Sequence, residues 1–330
     1  MLPKRKLGQL EVSALSLGCM GMSEFYGPAD QGRCIQTIHE AYAKGITFFD
    51  TADMYGSGEN EKLVGKAIKP FRNKVMLATK FGIVRKADDP HFREINGKPA
   101  YIKQQCETSL KRLGVERIDL YYQHRLDPNT PIEETVGAMA ELVKEGKIAH
   151  IGLSEADVDT IRRASSVYPI TALQTEYSLW TRDPEHGILK TCEELKIGFV
   201  AYSPVGRGFL TGKIKTAEQF DPSDFRRSLP RFQAENLQHN LKIVEAVESI
   251  AKEKGATPAQ IALAWVLQQA PFIVPLFGTT SPEHLKENLQ SLKVNLTSTD
   301  LDKLNKYTQK EAVKGERYSP QTMKNYKFNR

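Results

Sequence analysis

The chain has 330 residues, 40% of them hydrophobic and 26% charged, with a formal net charge of +6. That composition belongs to a globular protein with a sizeable core, and the length admits two domains or one large α/β barrel. The mild basic excess, 46 Lys and Arg against 40 Asp and Glu, is scattered without aromatic interleaving, which argues against nucleic acid as a partner and suits an anionic small molecule.

At the N-terminus, "MLPKRKLGQLEVSALSLGC" imitates a lipoprotein signal, but Glu11 interrupts its apolar stretch and what remains is too short for a signal core. It reads instead as a hairpin turning at Gly8, with Lys6-Leu7 and Leu10-Val12 as arms. No later stretch approaches a membrane span. Cys19, Cys34, Cys106 and Cys192 lie far apart with no paired spacing, so free buried thiols of a reducing compartment are expected, with no metal site and a cytoplasmic location.

Beyond the hairpin, short apolar runs alternate with amphipathic segments. The runs are Leu15-Gly18, Ile46-Asp50, Val75-Lys80, Ile118-His124, Ile148-Ser154, Ala172-Tyr177, Phe199-Ser203 and Ile273-Phe277. Helical patterns such as "GRCIQTIHEAYAKG" and "IEETVGAMAELVKEG" lie between them; Gly45, Gly114 and Gly146 end helices, and Pro131 and Pro258 begin them. About eight strands separated by helices require parallel crossovers. Asp50, Lys80, His124, Ser154, Gln174 and Ser203 fall at or near the C-terminal ends of different strands. A closed (β/α)8 barrel gathers those ends at one mouth, whereas an open sheet strings them along an edge. The expectation is a single-domain barrel over residues 1–330 with an N-terminal hairpin and extra C-terminal helices.

Taken singly, Asp50 reads as a turn residue, Lys80 as a snorkelling cation and His124 as a core histidine. Taken together with Tyr55, in the loop after Asp50, they describe an acid. A tyrosine is a poor proton donor at neutral pH until its phenolate is stabilised, which a neighbouring ammonium does. A carboxylate limits the cost of burying that ammonium, and an imidazole orients a substrate oxygen. Such an acid serves carbonyl reduction, and with no metal or thiol site the electrons must come from a hydride donor.

The motifs that carry these residues resemble the aldo-keto reductase family along nearly the whole chain: "GITFFDTADMYGSGENEKLVGKAI", "VMLATKFG", "IDLYYQHR", "GKIAHIGLSE", "LQTEYSLW", "AYSPVGRGFLTGK" and "GTTSPEHLKENL". "YSLWTRDPE" and "GRGFLTGK" are similar to the branch that contains plant perakine reductase and yeast pyridoxal reductase. The resemblance implies a (β/α)8 barrel that reduces a small aldehyde or ketone with NADPH. It makes Tyr55 the general acid, Lys80 its partner, Asp50 the holder of Lys80 and His124 the residue that orients the carbonyl. It also implies that Ser154 and Gln174 bind the nicotinamide carboxamide and that Tyr202 stacks on the ring. Met20, Gly21, Ser203 and Pro204 complete that end of the cofactor site.

Two phosphate motifs are imitations. "GSGENEK" lacks the third glycine of a dinucleotide fingerprint, and "GRGFLTGKI" has Ile214 where a P-loop needs Ser or Thr. In the second, Gly206, Gly208 and Gly212 still expose amides to a pyrophosphate, with Arg207 and Lys213 adding charge. Gly278, Thr279, Thr280 and Ser281 precede a helix opened by Pro282, an anion site that the resemblance assigns to the adenosine 2′-phosphate; Glu287 and Asn288 match adenine contacts. Many relatives carry Lys or Arg where this chain has Ser281 and His284. The common Ser-Asn pair after the fifth strand reads Ser154-Glu155. Two other readings stay open, a Schiff-base aldolase using Lys80 and an NADPH-binding sensor or channel-associated subunit. The loop Phe81 to Ala100, the tail after Lys310, and Met20, Phe25, Tyr26 and Trp180 are candidates for the substrate wall.

Overall fold

A hairpin opens the chain: β1 (Lys4–Leu7) pairs antiparallel with β2 (Leu10–Ser13), and Gly8 supplies the left-handed turn at φ 56°. The computed structural model describes residues 2–86, 88–89 and 92–325. After the hairpin come β3 (Ser16–Gly18), β4 (Phe48–Asp50) and β5 (Met76–Phe81). A small antiparallel pair, β6 (Ile83–Val84) and β7 (Glu94–Ile95), follows in the long loop. The series ends with β8 (Ile118–Gln123), β9 (Ile148–Ser154), β10 (Ile170–Glu176), β11 (Gly198–Tyr202) and β12 (Ile273–Gly278). β3, β4, β5, β8, β9, β10, β11 and β12 pair in parallel in that order, and β12 returns to β3 to close the expected barrel.

Around it lie α1 (Gln31–Ala43), α2 (Glu59–Ile68), α3 (Pro99–Leu113), α4 (Ile132–Lys144), α5 (Val158–Val167) and α6 (Ile188–Glu194). α7 (Ala234–Lys254), α8 (Pro258–Gln269), α9 (Pro282–Leu289), α10 (Ser298–Thr308) and α11 (Pro320–Asn325) complete the set. Gly114 caps α3 at φ 64°, and Pro258 opens α8 behind a Thr257 capping box, as the sequence predicts. Pro131 is a correction: it is the N-cap of α4, extended at ψ 137°, and Ile132 is the first helical residue. Among the described residues no helix is long and apolar enough to cross a membrane. All four cysteines are buried and free.

Strand alternation divides the core into two layers. Inward-facing Phe48, Ala78, Leu120, Tyr122, Ala172, Val200 and Val274 fill the barrel, while Phe49, Leu77, Tyr121, Leu173 and Phe199 face the helices. The inner layer is completed from below by Leu7, Leu10 and Val12 of the hairpin, which plugs the N-terminal end. That plug sits very close to the sheet. A Cβ added at Gly198 would lie 2.2 Å from the Leu7 Cα, a backbone atom with nowhere to yield. Gly198→Ala is therefore expected to destabilise the fold by about 3 kcal/mol through overpacking. Urea unfolding checks this, and an unchanged midpoint would mean that the plug is not seated on β11.

Candidate active site

The mouth at the C-terminal ends of the strands opens into a cavity of about 840 Å³. β4 ends on Asp50, and the loop that follows stays laced to β5: the Thr51 amide donates to the Ala78 carbonyl and the Asp53 amide to the Lys80 carbonyl, at 2.9 and 3.0 Å. This keeps the chain from leaving the mouth and returns Tyr55 over it. Glu24 fixes the return, accepting from the Gly56 amide at 2.8 Å, and Arg85 joins Glu24 to the Met54 carbonyl. Neither Glu24 nor Arg85 carries a sequence signal for this role.

Lys80 is wholly buried beneath Tyr55. Its ammonium donates to Asp50 Oδ1, to the Thr51 carbonyl at 2.8 Å and to the Tyr55 hydroxyl at 3.4 Å. His124 stands edge-on to the Tyr55 ring, with centroids 5.7 Å apart. Asp50, Tyr55 and His124 line the cavity, and Lys80 lies just behind them. The four predicted residues thus come together.

Burial sets much of their electrostatics. It depresses the His124 imidazole well below its ordinary value, helped by Arg125 and Lys80, so the ring is neutral. Burial also works against the Lys80 ammonium, but Asp50 and then Tyr55 outweigh it and raise its pKa. The Tyr55 phenol differs from the sequence expectation. Lys80 pulls it down, yet burial dominates and Asp50 opposes, leaving the phenol above its usual range. An ammonium held charged by a carboxylate is a poor Schiff-base nucleophile, which weighs against the aldolase reading.

The other predicted residues fall on the same cavity with few exceptions. Met20, Gly21, Ser154, Gln174, Tyr202, Ser203, Pro204, Gly208, Lys213, Gly278, Thr279, Thr280, His284, Glu287 and Asn288 line it. Gly206 does not; its Cα faces Trp180, where an added Cβ would meet the indole nitrogen at 2.9 Å. Ser281 stands behind the lining as the α9 N-cap, accepting from the His284 amide and donating to Glu283 at 2.5 Å. Arg207 reaches the wall, but its guanidinium is committed to Glu176 at 2.8 Å and to the Tyr318 hydroxyl at 2.9 Å. Gln174 donates to Asp50 Oδ2 at 2.8 Å.

Of the expected substrate wall, Met20, Phe25 and Tyr26 line the cavity. Trp180 does not: it is buried in the core, stacked on Phe209 at 4.4 Å. From the long loop, Ile83, Arg93 and Ile95 reach the site; Ala87, Pro90 and His91 lie outside the described residues. From the tail, Tyr318, Ser319 and Thr322 reach it, and residues 326–330 lie outside the described residues. Sequence reasoning missed Arg125, which donates to Ser154 Oγ at 3.2 Å and to the His124 carbonyl. It also missed Phe225 and Arg226.

A closed parallel barrel thus gathers a buried lysine–carboxylate pair, a phenol and a neutral imidazole at one mouth. Residues 14–309 match the Aldo/keto reductase family, and the chain belongs to that family. It is 52% identical over 317 residues to the probable aldo-keto reductase 1 of Glycine max, covering 95% of this chain and 91% of that one. Among solved structures it is similar to the glycerol dehydrogenase AKR11B4 from Gluconobacter oxydans, with TM-score 0.84, 29% identity and coverage of 94% and 97%. It is also similar to an aldo/keto reductase from Klebsiella pneumoniae in complex with NADP and acetate, with TM-score 0.72, 25% identity and coverage of 97% and 99%. The chain is accordingly an oxidoreductase of the aldo-keto reductase type.

Proposed function

We propose that this protein reduces an aldehyde or ketone to an alcohol with NADPH, Tyr55 giving the proton. The observation that carries the reading is Tyr55 at the cavity, its hydroxyl against the Lys80 ammonium and its ring edge-on to His124. The cavity fits the cofactor by its size and by its donor set. Ser154, Gln174 and Tyr202 offer two polar partners and a flat ring at one end, and Thr279, Thr280 and the first turn of α9 offer hydroxyls and amides to phosphate at the other. When bound, NADPH supplies the hydride.

The chain's own residues do the rest. His124, neutral and with Nδ1 lacking a partner among the described residues, lines the floor and orients the carbonyl oxygen toward Tyr55. Burial keeps Tyr55 protonated across the neutral range, so the acid is loaded when substrate arrives. As negative charge develops on the substrate oxygen, that oxygen becomes a far stronger base than phenolate and takes the proton. Lys80 stabilises the phenolate left behind, and Asp50 keeps Lys80 charged and in place. The test is consumption of NADPH with 4-nitrobenzaldehyde and a panel of ketones, run in parallel with NADH. Turnover with NADPH is expected; none with any carbonyl would sink the reading.

A further inference from the structure

The departure at residue 155 has a structural consequence. Directly after Ser154 at the end of β9, Glu155 adopts φ 56°, a left-handed backbone that side-chain-bearing residues seldom take. This aims its carboxylate across the mouth instead of outward. There it receives Arg317 through two bonds, 3.2 Å from Nη1 to Oε1 and 2.8 Å from Nη2 to Oε2. The same Oε1 accepts from the Tyr202 hydroxyl at 2.7 Å and the Glu176 amide at 3.1 Å. Glu155 and Arg317 are both nearly inaccessible to solvent. Burial works against the Glu155 carboxylate, but Arg317 outweighs it and keeps it ionised.

Tyr318, the next residue, is placed by that pair. Its hydroxyl meets Tyr202 at 3.1 Å and Arg207 at 2.9 Å, and its side chain lines the cavity together with Ser319 and Thr322. Upstream, the segment is tied to the barrel through Asn240, which exchanges two bonds with Lys314, and through Arg231, which donates to the Gly315 carbonyl. On the cofactor side, Glu155 holds Arg317 to the sheet, with Glu176 3.9 Å from the same guanidinium, and Tyr202 and Arg207 meet Tyr318.

We propose that Glu155 is a positioning residue that latches the C-terminal segment onto the barrel mouth through Arg317, fixing Tyr202 and Tyr318 as one wall of the cofactor site. The proposal rests on the cofactor reading above for its ligand but not for its geometry. One carboxylate sets the tilt of the Tyr202 ring and the seat of the tail at the same time. Loosening the tail and loosening the grip on the nicotinamide end of the cofactor are therefore one event.

The experiment uses the full chain with Glu155→Gln, Arg317→Gln and the double variant. It reads NADPH affinity by nicotinamide fluorescence and tryptic release of the tail without ligand. Each single change is expected to weaken NADPH by about tenfold and to speed cleavage after Lys314. The double variant should be no worse than either single one, because both remove one interaction. Tyr202→Phe should weaken NADPH while leaving the tail protected. Unchanged affinity with wild-type cleavage, or additive effects in the double variant, would overturn the latch. A chain ending at Glu316 gives the same affinity readout should Glu155→Gln not fold. A wild-type chain that binds no NADPH would overturn the cofactor reading instead, and cleavage would still decide the latch.

Discussion

Tyr55→Phe is expected to lower the turnover of carbonyl reduction about a thousandfold, within the range by which a positioned general acid accelerates a reaction. Among the described residues the phenol hydroxyl has one side-chain hydrogen-bond partner, Lys80 at 3.4 Å, and the ring packs edge-on to Phe25 and His124. Phenylalanine keeps those ring contacts, so fold and NADPH affinity should stay near wild type. The loss should fall on kcat and kcat/KM alike, the signature of an interaction made in the transition state. Stopped-flow measurement of NADPH oxidation with enzyme in excess isolates the chemical step. Turnover within about tenfold of wild type would assign the proton to another group.

Lys80→Met should do two things at once. It removes the cation that stabilises the phenolate, and it leaves Asp50 as a buried carboxylate with Gln174 as its remaining side-chain donor. Breaking a buried ion pair from one side costs about 3 to 5 kcal/mol, whereas replacing both members is close to neutral. Burial already raises the Asp50 pKa even with Lys80 present; without the ammonium it rises further. A carboxyl whose folded pKa exceeds its unfolded value binds more protons when folded, so the variant's stability should climb as pH falls toward the unfolded carboxylate range. Adding Asp50→Asn should restore stability at neutral pH without restoring turnover. Denaturant melts across pH, paired with the reductase assay, separate the two effects. A single variant as stable as wild type at neutral pH would contradict the buried pair.

The barrel was legible because each strand announces itself locally. Ile46-Asp50, Val75-Lys80 and Ile148-Ser154 are short, mostly apolar runs that end in a polar residue, and one mouth explains all of those endings at once. Tyr55, Lys80 and His124 were legible for the same reason, since each sits on or just after such a run. Contacts between distant stretches were not. Arg317 and Glu155 lie 162 positions apart, and nothing in "GERYS" indicates which carboxylate it meets. Arg207 reads as a phosphate ligand from its glycine-rich neighbours, but its partner Glu176 ends another strand. Trp180 looks like pocket wall beside "LQTEYSLW", yet Phe209 claims its face. β6 and β7, two residues each, are too short to show any period.

The hairpin plug also bears on what the mouth stands upon. Leu7, Leu10 and Val12 cover the base of the inner layer, which is closed to solvent. The polar strand ends above it therefore rest on a dry, close-packed foundation that leaves them little room to shift.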